Sequence, residues 1–323
     1  MLDTMTLLAA GGKFNPLGHV LDQPVPLTNG TLKFSFVMIL LGAVVVFFML
    51  TYAAKRITIG PESQGTERWV TKGRLAQLIE AMVVYLRNEM LVPVMGERLT
   101  KRYMGYLLSL FFFILVLNLL GLVPLMDFQH VVTRDAAEQE AWVFFGGTAT
   151  ASLAVTGALA FISFVVIQIH SIRELGFGGW LEHLCGGHDI VAGPKGLWLI
   201  VPVIFVVEFL GLFIKPAALA IRLFANMVGG HTLMATLLGF GGLALSSGLS
   251  MLAVGGIATL SGLFAVLIGI LEIFVSFLQA FIFMFLTAVF ISVMSHEEHA
   301  HEGEHDEPHG HHGDHATEVA VPH

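Results

Sequence analysis

Long apolar runs separated by short polar stretches dominate the chain. Three runs without a charge cover about residues 34–54, 106–126 and 142–169, and two much longer runs cover 197–245 and 252–294. A helix needs about 20 apolar residues to cross a bilayer, and only a helix satisfies all its backbone hydrogen bonds within one segment in lipid. The pattern predicts an all-α integral membrane protein with about five membrane-embedded helices, the last two long enough to be tilted.

Charge between the runs predicts the orientation. The stretch from Lys55 to Arg102 carries nine of the 16 Lys and Arg residues, and such basic stretches remain in the cytoplasm. Within it, Leu75–Leu86 has the spacing of an amphipathic helix that lies at the membrane interface. Five crossings place residues 1–33 outside, a membrane domain at 34–295 and the C-terminus inside. The N-terminus has no transit-like pattern, which favours a cell inner (plasma) membrane and leaves the source organism open.

Composition narrows the class of protein. Hydrophobic residues make up 55% of the chain and charged residues 12%, about half the usual share of about 25%, which excludes a soluble enzyme. No basic surface of the required size is present, which excludes nucleic-acid binding. The single cysteine, Cys185, excludes a disulfide framework. With Cys185, the histidines His170, His183 and His188 are interpreted as incidental members of a polar inner loop.

The net charge of −8 arises from residues 296–323, which contain eight acidic residues, nine histidines and no Lys or Arg. This composition predicts a disordered cytoplasmic tail. Histidine-rich tracts also bind transition metals, but here that is the weaker interpretation. The tail histidines it would involve are His296, His299, His301 and His305. No other metal site and no cofactor is predicted.

The last two runs contain four charged residues, and ionisable groups at membrane depth are usually functional. They are Glu208, Lys215, Arg222 and Glu272. At about 100° per residue, the first three share one helical stripe with Asn226, and His231 falls on the opposite face. On the last run, Glu272, Ser276 and Gln279 form a second stripe.

The Gly- and Ser-rich stretch at 239–256 predicts a turn between these two runs. In the resulting antiparallel hairpin, His231 lies level with Glu272, and Arg222 lies level with Gln279. A histidine and a glutamate can pass a proton near neutral pH, whereas an arginine keeps its proton. A relay that ends at Arg222 therefore needs a carboxylate, which we expect from another subunit.

Two segments resemble subunit a of F-type ATP synthases: KPAALAIRLFANMVGGH at 215–231 and LEIFVSFLQAFIFMFLTAVFI at 271–291. Weaker similarity, including NLLGLVP at 118–124, covers nearly the whole chain. The resemblance implies a stator subunit, not itself an enzyme, whose last two helices form a tilted hairpin against a ring of c subunits. It implies contacts with b subunits, the rest of the synthase and membrane lipid. Two offset half-channels load and unload the c-ring carboxylates and so couple proton flow to rotation and ATP synthesis.

The resemblance also implies roles for the polar residues. Arg222 matches the arginine that faces the c-ring carboxylate and separates the half-channels, with Gln279 and Asn226 beside it. His231 and Glu272 match the outer half-channel pair, exchanged relative to many bacterial members but arranged as in mitochondrial ones. The remaining residues on the predicted proton path are Glu208, Lys215 and Ser276.

Two other functions stay open at this point. A stand-alone ion channel or a secondary transporter could also use an arginine, a histidine and a glutamate in the membrane, and the histidine-rich tail suggests a metal transporter. Inverted repeats, or several deep His and Asp ligands, would favour these functions, and neither is visible in the sequence. The sequence leaves open whether the coupling ion is a proton or sodium, and a proton is the default.

Overall fold

The computed structural model describes residues 33–56, 71, 73–122, 149–186, 200–248 and 250–302. Every regular element in these ranges is helical. The elements are α1 (Phe34–Arg56), α2 (Arg74–Tyr85), a π-helical segment (Leu86–Leu91), α3 (Val92–Leu122), a 3₁₀ turn (Ala149–Ala151), α4 (Leu153–Leu184), α5 (Val201–Ser246) and α6 (Met251–Glu302).

Five helical units are long and apolar enough to cross a membrane: α1, α2 continued into α3, α4, α5 and α6. This confirms the predicted all-α membrane protein with five candidate spans. Helix α2 nearly coincides with the amphipathic helix predicted over Leu75–Leu86. It buries Ala76 and Ile79 and leaves Leu75 and Leu78 exposed.

Helices α3 and α4 both extend beyond the predicted spans, and each changes direction at a glycine. Gly96 has φ 72° in α3, and Gly176 has φ 69° in α4. Glycine adopts this left-handed conformation without the steric cost that a Cβ imposes. Because adding residues to an existing helix is easier than starting a new one, the helices continue through stretches that the charge pattern assigned to loops.

The core lies mainly between α3 and α6. From α3, the side chains of Phe111 and Ile114 are completely buried. From α6, Ala280 and Ala288 are completely buried, and such small residues let helix backbones approach closely in a membrane protein. The second half of α6 is therefore held firmly by the rest of the bundle.

Helices α5 and α6 form the predicted antiparallel hairpin, with a turn at Gly248, where φ is 69°. Two contacts define how the helices align. Near the turn, the Ser261 hydroxyl donates a hydrogen bond to the backbone carbonyl of Leu237. Towards the other end, the Lys215 ammonium lies 5.5 Å from the centre of the Phe290 ring.

Several predictions concern residues outside the described ranges. These include the N-terminal segment except Lys33, residues 123–148 between the second and third apolar runs, and residues 187–199. Helix α6 continues to Glu302, seven residues past the predicted membrane domain. Residues 303–323, where the tail was predicted to be disordered, are not described.

Candidate functional site

A histidine and a glutamate meet between α5 and α6. Nδ1 of His231 lies 3.3 Å from Oε1 of Glu272, whose side chain is only 6% exposed. Nε2 of His231 lies 3.1 Å from the Gly121 carbonyl oxygen on α3, and Nδ1 lies 3.0 Å from the Met227 carbonyl oxygen. Acceptors therefore stand beside both ring nitrogens, an arrangement in which the ring can hold a proton and exchange it with the carboxylate.

Buried polar atoms continue from this pair along the contact between α3 and α6. Asn118 Nδ2 donates to the backbone carbonyl of Ser276 at 3.4 Å. Within the described part of the chain, Glu272 Oε2, Asn118 Oδ1 and Ser276 Oγ have no hydrogen-bond partner, whereas Glu272 Oε1 has the contact with His231. Buried polar atoms normally have a partner. These three atoms can therefore bind water beside the pair.

Gly230 lets the glutamate approach α5. A Cβ built at Gly230 would overlap the carboxylate, at 2.8 Å from Cδ and 3.0 Å from Cγ of Glu272. At the neighbouring Gly229, a Cβ would meet nothing within 4 Å. The two adjacent glycines thus have different roles, and only Gly230 is needed for space.

Arg222 occupies another face of α5 and is exposed, whereas its neighbour Leu223 is buried. Asn226, one turn further on, is half-buried. A charge at membrane depth is costly without a partner. No described residue forms a hydrogen bond or an ion pair with the Arg222 guanidinium.

Gln279 is half-buried on α6. Along the hairpin axis, Gln279 lies between the His231–Glu272 contact and the Lys215–Phe290 contact. Arg222 lies between the same two contacts on α5. The structure thus brings Gln279 and Arg222 to similar depth, with no hydrogen bond between them among the described contacts.

The remaining predicted residues lie towards the start of α5. Lys215 is exposed and Glu208 is half-buried. At about 1.5 Å per residue, Lys215 lies roughly 24 Å along α5 from His231. Along α5, His231 therefore lies on one side of Arg222, and Lys215 and Glu208 lie on the other.

Sequence reasoning missed the contributions of Asn118 and Gly230. Asn118 was noted only as part of a family-like segment, although a lone amide in an apolar run is itself a signal. The Gly229–Gly230 pair inside a helix was a second signal. Interpreting His170 as an incidental loop residue was also wrong, because α4 continues through it and buries it completely. No group of three or more His, Cys, Asp or Glu residues that could hold a metal occurs among the described residues.

These features define an all-helical membrane protein with a buried histidine–glutamate pair and an exposed arginine within the spans. The family model described as ATP synthase A chain matches residues 35–292. The chain therefore belongs to the ATP synthase A chain family.

Curated relatives agree with this assignment. The chain is 42% identical over 230 residues to ATP synthase subunit a of Anaeromyxobacter dehalogenans (strain 2CP-1 / ATCC BAA-258), covering 70% of this chain and 51% of that protein. It is 37% identical over 295 residues to the subunit a of Anaeromyxobacter sp. (strain Fw109-5), covering 89% and 61%. For Myxococcus xanthus (strain DK1622), the identity is 38% over 253 residues, covering 75% and 72%. The aligned region thus spans about half to three-quarters of the length of these relatives.

Proposed function

We propose that this chain is the proton-translocating stator subunit of an F-type ATP synthase. One observation carries the proposal: a buried His231–Glu272 pair and an exposed Arg222, which no described residue pairs with, occupy different faces of the same hairpin. Nine residues, or about 13 Å of helix, separate His231 from Arg222. A proton that reaches the pair has no acceptor at Arg222, so it must leave the chain to proceed.

A carboxylate on a rotating c subunit supplies the missing acceptor. Transfer from the pair neutralises that carboxylate, which can then enter lipid. Near Arg222 the fixed positive charge favours the ionised carboxylate and so promotes proton release. Gln279 and Asn226 hydrogen-bond to the carboxylate there, and Glu208 and Lys215 line the exit.

Direct leakage past Arg222 is opposed by its charge. A membrane potential of 100 mV contributes about 2.3 kcal/mol for each charge that crosses. Because the two half-channels are offset, this energy is released only when the ring turns. In this proposal ATP chemistry takes place on other subunits, and the chain itself is not an enzyme.

The proposed location is a bacterial plasma membrane, with the N-terminus outside and the C-terminus in the cytoplasm. The proposed partners are the c-ring and the b subunits of the stator stalk. The nine basic residues from Lys55 to Arg102 support this orientation by the positive-inside rule.

Replacement of Arg222 tests the function. We expect R222Q to abolish ATP synthesis driven by an imposed proton gradient in membrane vesicles, while the chain still co-purifies with c, b and the catalytic subunits. R87Q is the matched control, because the Arg87 guanidinium contacts the exposed side chains of Glu97 and Asn88, and it should retain synthesis. Normal synthesis by R222Q would overturn the proposal. Purification of the chain without other subunits would instead favour a stand-alone channel or transporter.

A further inference from the structure

His170 joins three helices at the end of the bundle away from the His231–Glu272 pair. Its side chain, on α4, is completely buried. Its Nδ1 lies 2.8 Å from the Tyr103 hydroxyl on α3, and the ring also hydrogen-bonds to the backbone carbonyl of Ile291 on α6. Because a carbonyl only accepts, the second ring nitrogen donates to Ile291, and Nδ1 accepts from Tyr103.

An ion-pair cluster closes the same end. Glu174 lies one turn after His170, and its carboxylate receives Arg102 Nη1 at 2.7 Å and Arg98 Nη2 at 3.4 Å. The Glu174 side chain is only 9% exposed, but Arg102 and Arg98 are 48% and 73% exposed, so the cluster lies at the surface of this end. It links α4 to α3 one turn from His170.

A second directional bond reaches α6 at the next residue. The Ser292 hydroxyl donates to the Val94 carbonyl at 2.6 Å. Apolar packing along α6 is non-directional and restrains sliding along the axis less than hydrogen bonds do. The bonds at Ile291 and Ser292 each depend on one axial position of α6, as does the bond from Asn118 to the Ser276 carbonyl nearer the functional residues.

That axial position extends to the functional residues. No glycine or proline occurs between Leu271 and Ile291, so the helix there has none of the usual causes of a kink. Gln279 lies 12 residues from Ile291, about 18 Å along the axis, and Glu272 lies about 28 Å away. Sliding of α6 at Ile291 would move both side chains relative to α5.

We propose that His170 is a positioning residue that fixes the axial register of α6, and with it the alignment of Gln279 and Glu272 against α5. The bond to Ile291 carries this role, and the bond to Tyr103 orients the ring. The effect on proton flow rests on the function proposed above, whereas the effect on helix register does not.

Two amide substitutions separate the two bonds. In H170Q the side-chain nitrogen occupies the place of Nε2 and keeps a donor for Ile291. In H170N the amide occupies the place of Nδ1, keeps the Tyr103 partner and loses the bond to Ile291. The control is S163A, which removes the 2.9 Å hydrogen bond between Ser163 and Tyr106 and so affects only α3 and α4.

Register is measured by cross-linking in the assembled complex. Cysteines at Leu237 and Ser261, which are in contact, are oxidised in a C185S background, and the yield is normalised to complex recovered with the c subunit. ATP synthesis is measured in the same vesicles. Since a misplacement of about 1 Å can cost about a hundredfold in rate, we expect H170N to lose about tenfold in synthesis and to cross-link poorly.

H170Q and S163A should remain within about twofold of the parent in both measurements. H170F, which removes both bonds, provides the same test if H170N does not assemble. Equal cross-linking and synthesis in H170N and H170Q would overturn the role of the Ile291 bond. Cross-linking reports register without proton flow, so retained synthesis by R222Q would refute the proposed function and leave this result standing.

Discussion

Glu272 approaches the backbone of α5 most closely at Gly230, and replacing this glycine with alanine perturbs the pair directly. The added Cβ would stand 2.8 Å from Cδ of Glu272, whereas ordinary van der Waals contact begins at 3.4 Å. The carboxyl group must therefore retreat by about 0.6 Å or rotate. Since His231 Nδ1 is already 3.3 Å from Oε1, either movement changes the contact through which the proton would pass.

The expected result is a loss of activity without loss of the protein. Because misplacement of reacting groups by about 1 Å can cost about a hundredfold, we expect G230A to lower proton-driven ATP synthesis by at least about tenfold. G229A is the matched control: its Cβ meets nothing within 4 Å, and alanine favours a helix by about 1 kcal/mol over glycine. It should retain synthesis within about twofold.

The assay is ATP synthesis by vesicles under an imposed proton gradient, expressed per assembled complex. A second variant checks the cause. In G230A/E272D the shorter side chain leaves room for the Cβ, and we expect synthesis to recover severalfold relative to G230A. Equal activity of G230A and G229A would refute the reasoning, because it would mean that the carboxylate is not confined against α5.

Two further predictions test other parts of the structure. N118L removes the buried amide beside the His231–Glu272 pair. Because the loss of a buried polar partner costs about 1–3 kcal/mol, we expect proton uptake by vesicles, followed with a pH-sensitive dye, to fall about tenfold. Unchanged uptake would exclude Asn118 from the proton path. G96A places a Cβ at φ 72°, which costs about 1–2 kcal/mol and should lower the unfolding temperature in detergent. G105A adds a Cβ that meets nothing within 4 Å on the same helix, and it should leave the unfolding temperature unchanged. Equal unfolding temperatures for G96A and G105A would contradict the predicted strain at Gly96.

The parts of the fold that depend on local pattern were predictable from the sequence. The five candidate spans follow from the lengths of the apolar runs. The similar depth of His231 and Glu272 follows from the rise per residue of a helix and the position of the turn between the last two runs. The ends of helices were less predictable. The third apolar run ends at about residue 169, which indicated a loop, yet α4 continues to Leu184, and Arg102 on α3 pairs with Glu174 in this extension. No local pattern contains that partner.

His170 illustrates the same limit for function. Beside charged residues in the sequence, it had the pattern of a loop histidine. Its two partners, Tyr103 and Ile291, lie 67 residues before and 121 residues after it. Only the packing of three helices brings them together. Gly230 is comparable, because the sequence shows the glycine but not the carboxylate that needs its space.

In the function proposed above, the position of Arg222 is the reason why this chain needs a partner to move a proton across the bilayer. A continuous path through the chain would have to pass Arg222, which keeps its own proton in practice and whose positive charge repels another. The buried pair lies on one side of it along α5, and Glu208 and Lys215 lie on the other. A carrier that picks up a proton at one level and releases it at the other must pass along the exposed face of α5. The most economical carrier is a carboxylate on a partner that turns, since rotation returns an identical site to the starting level after each transfer.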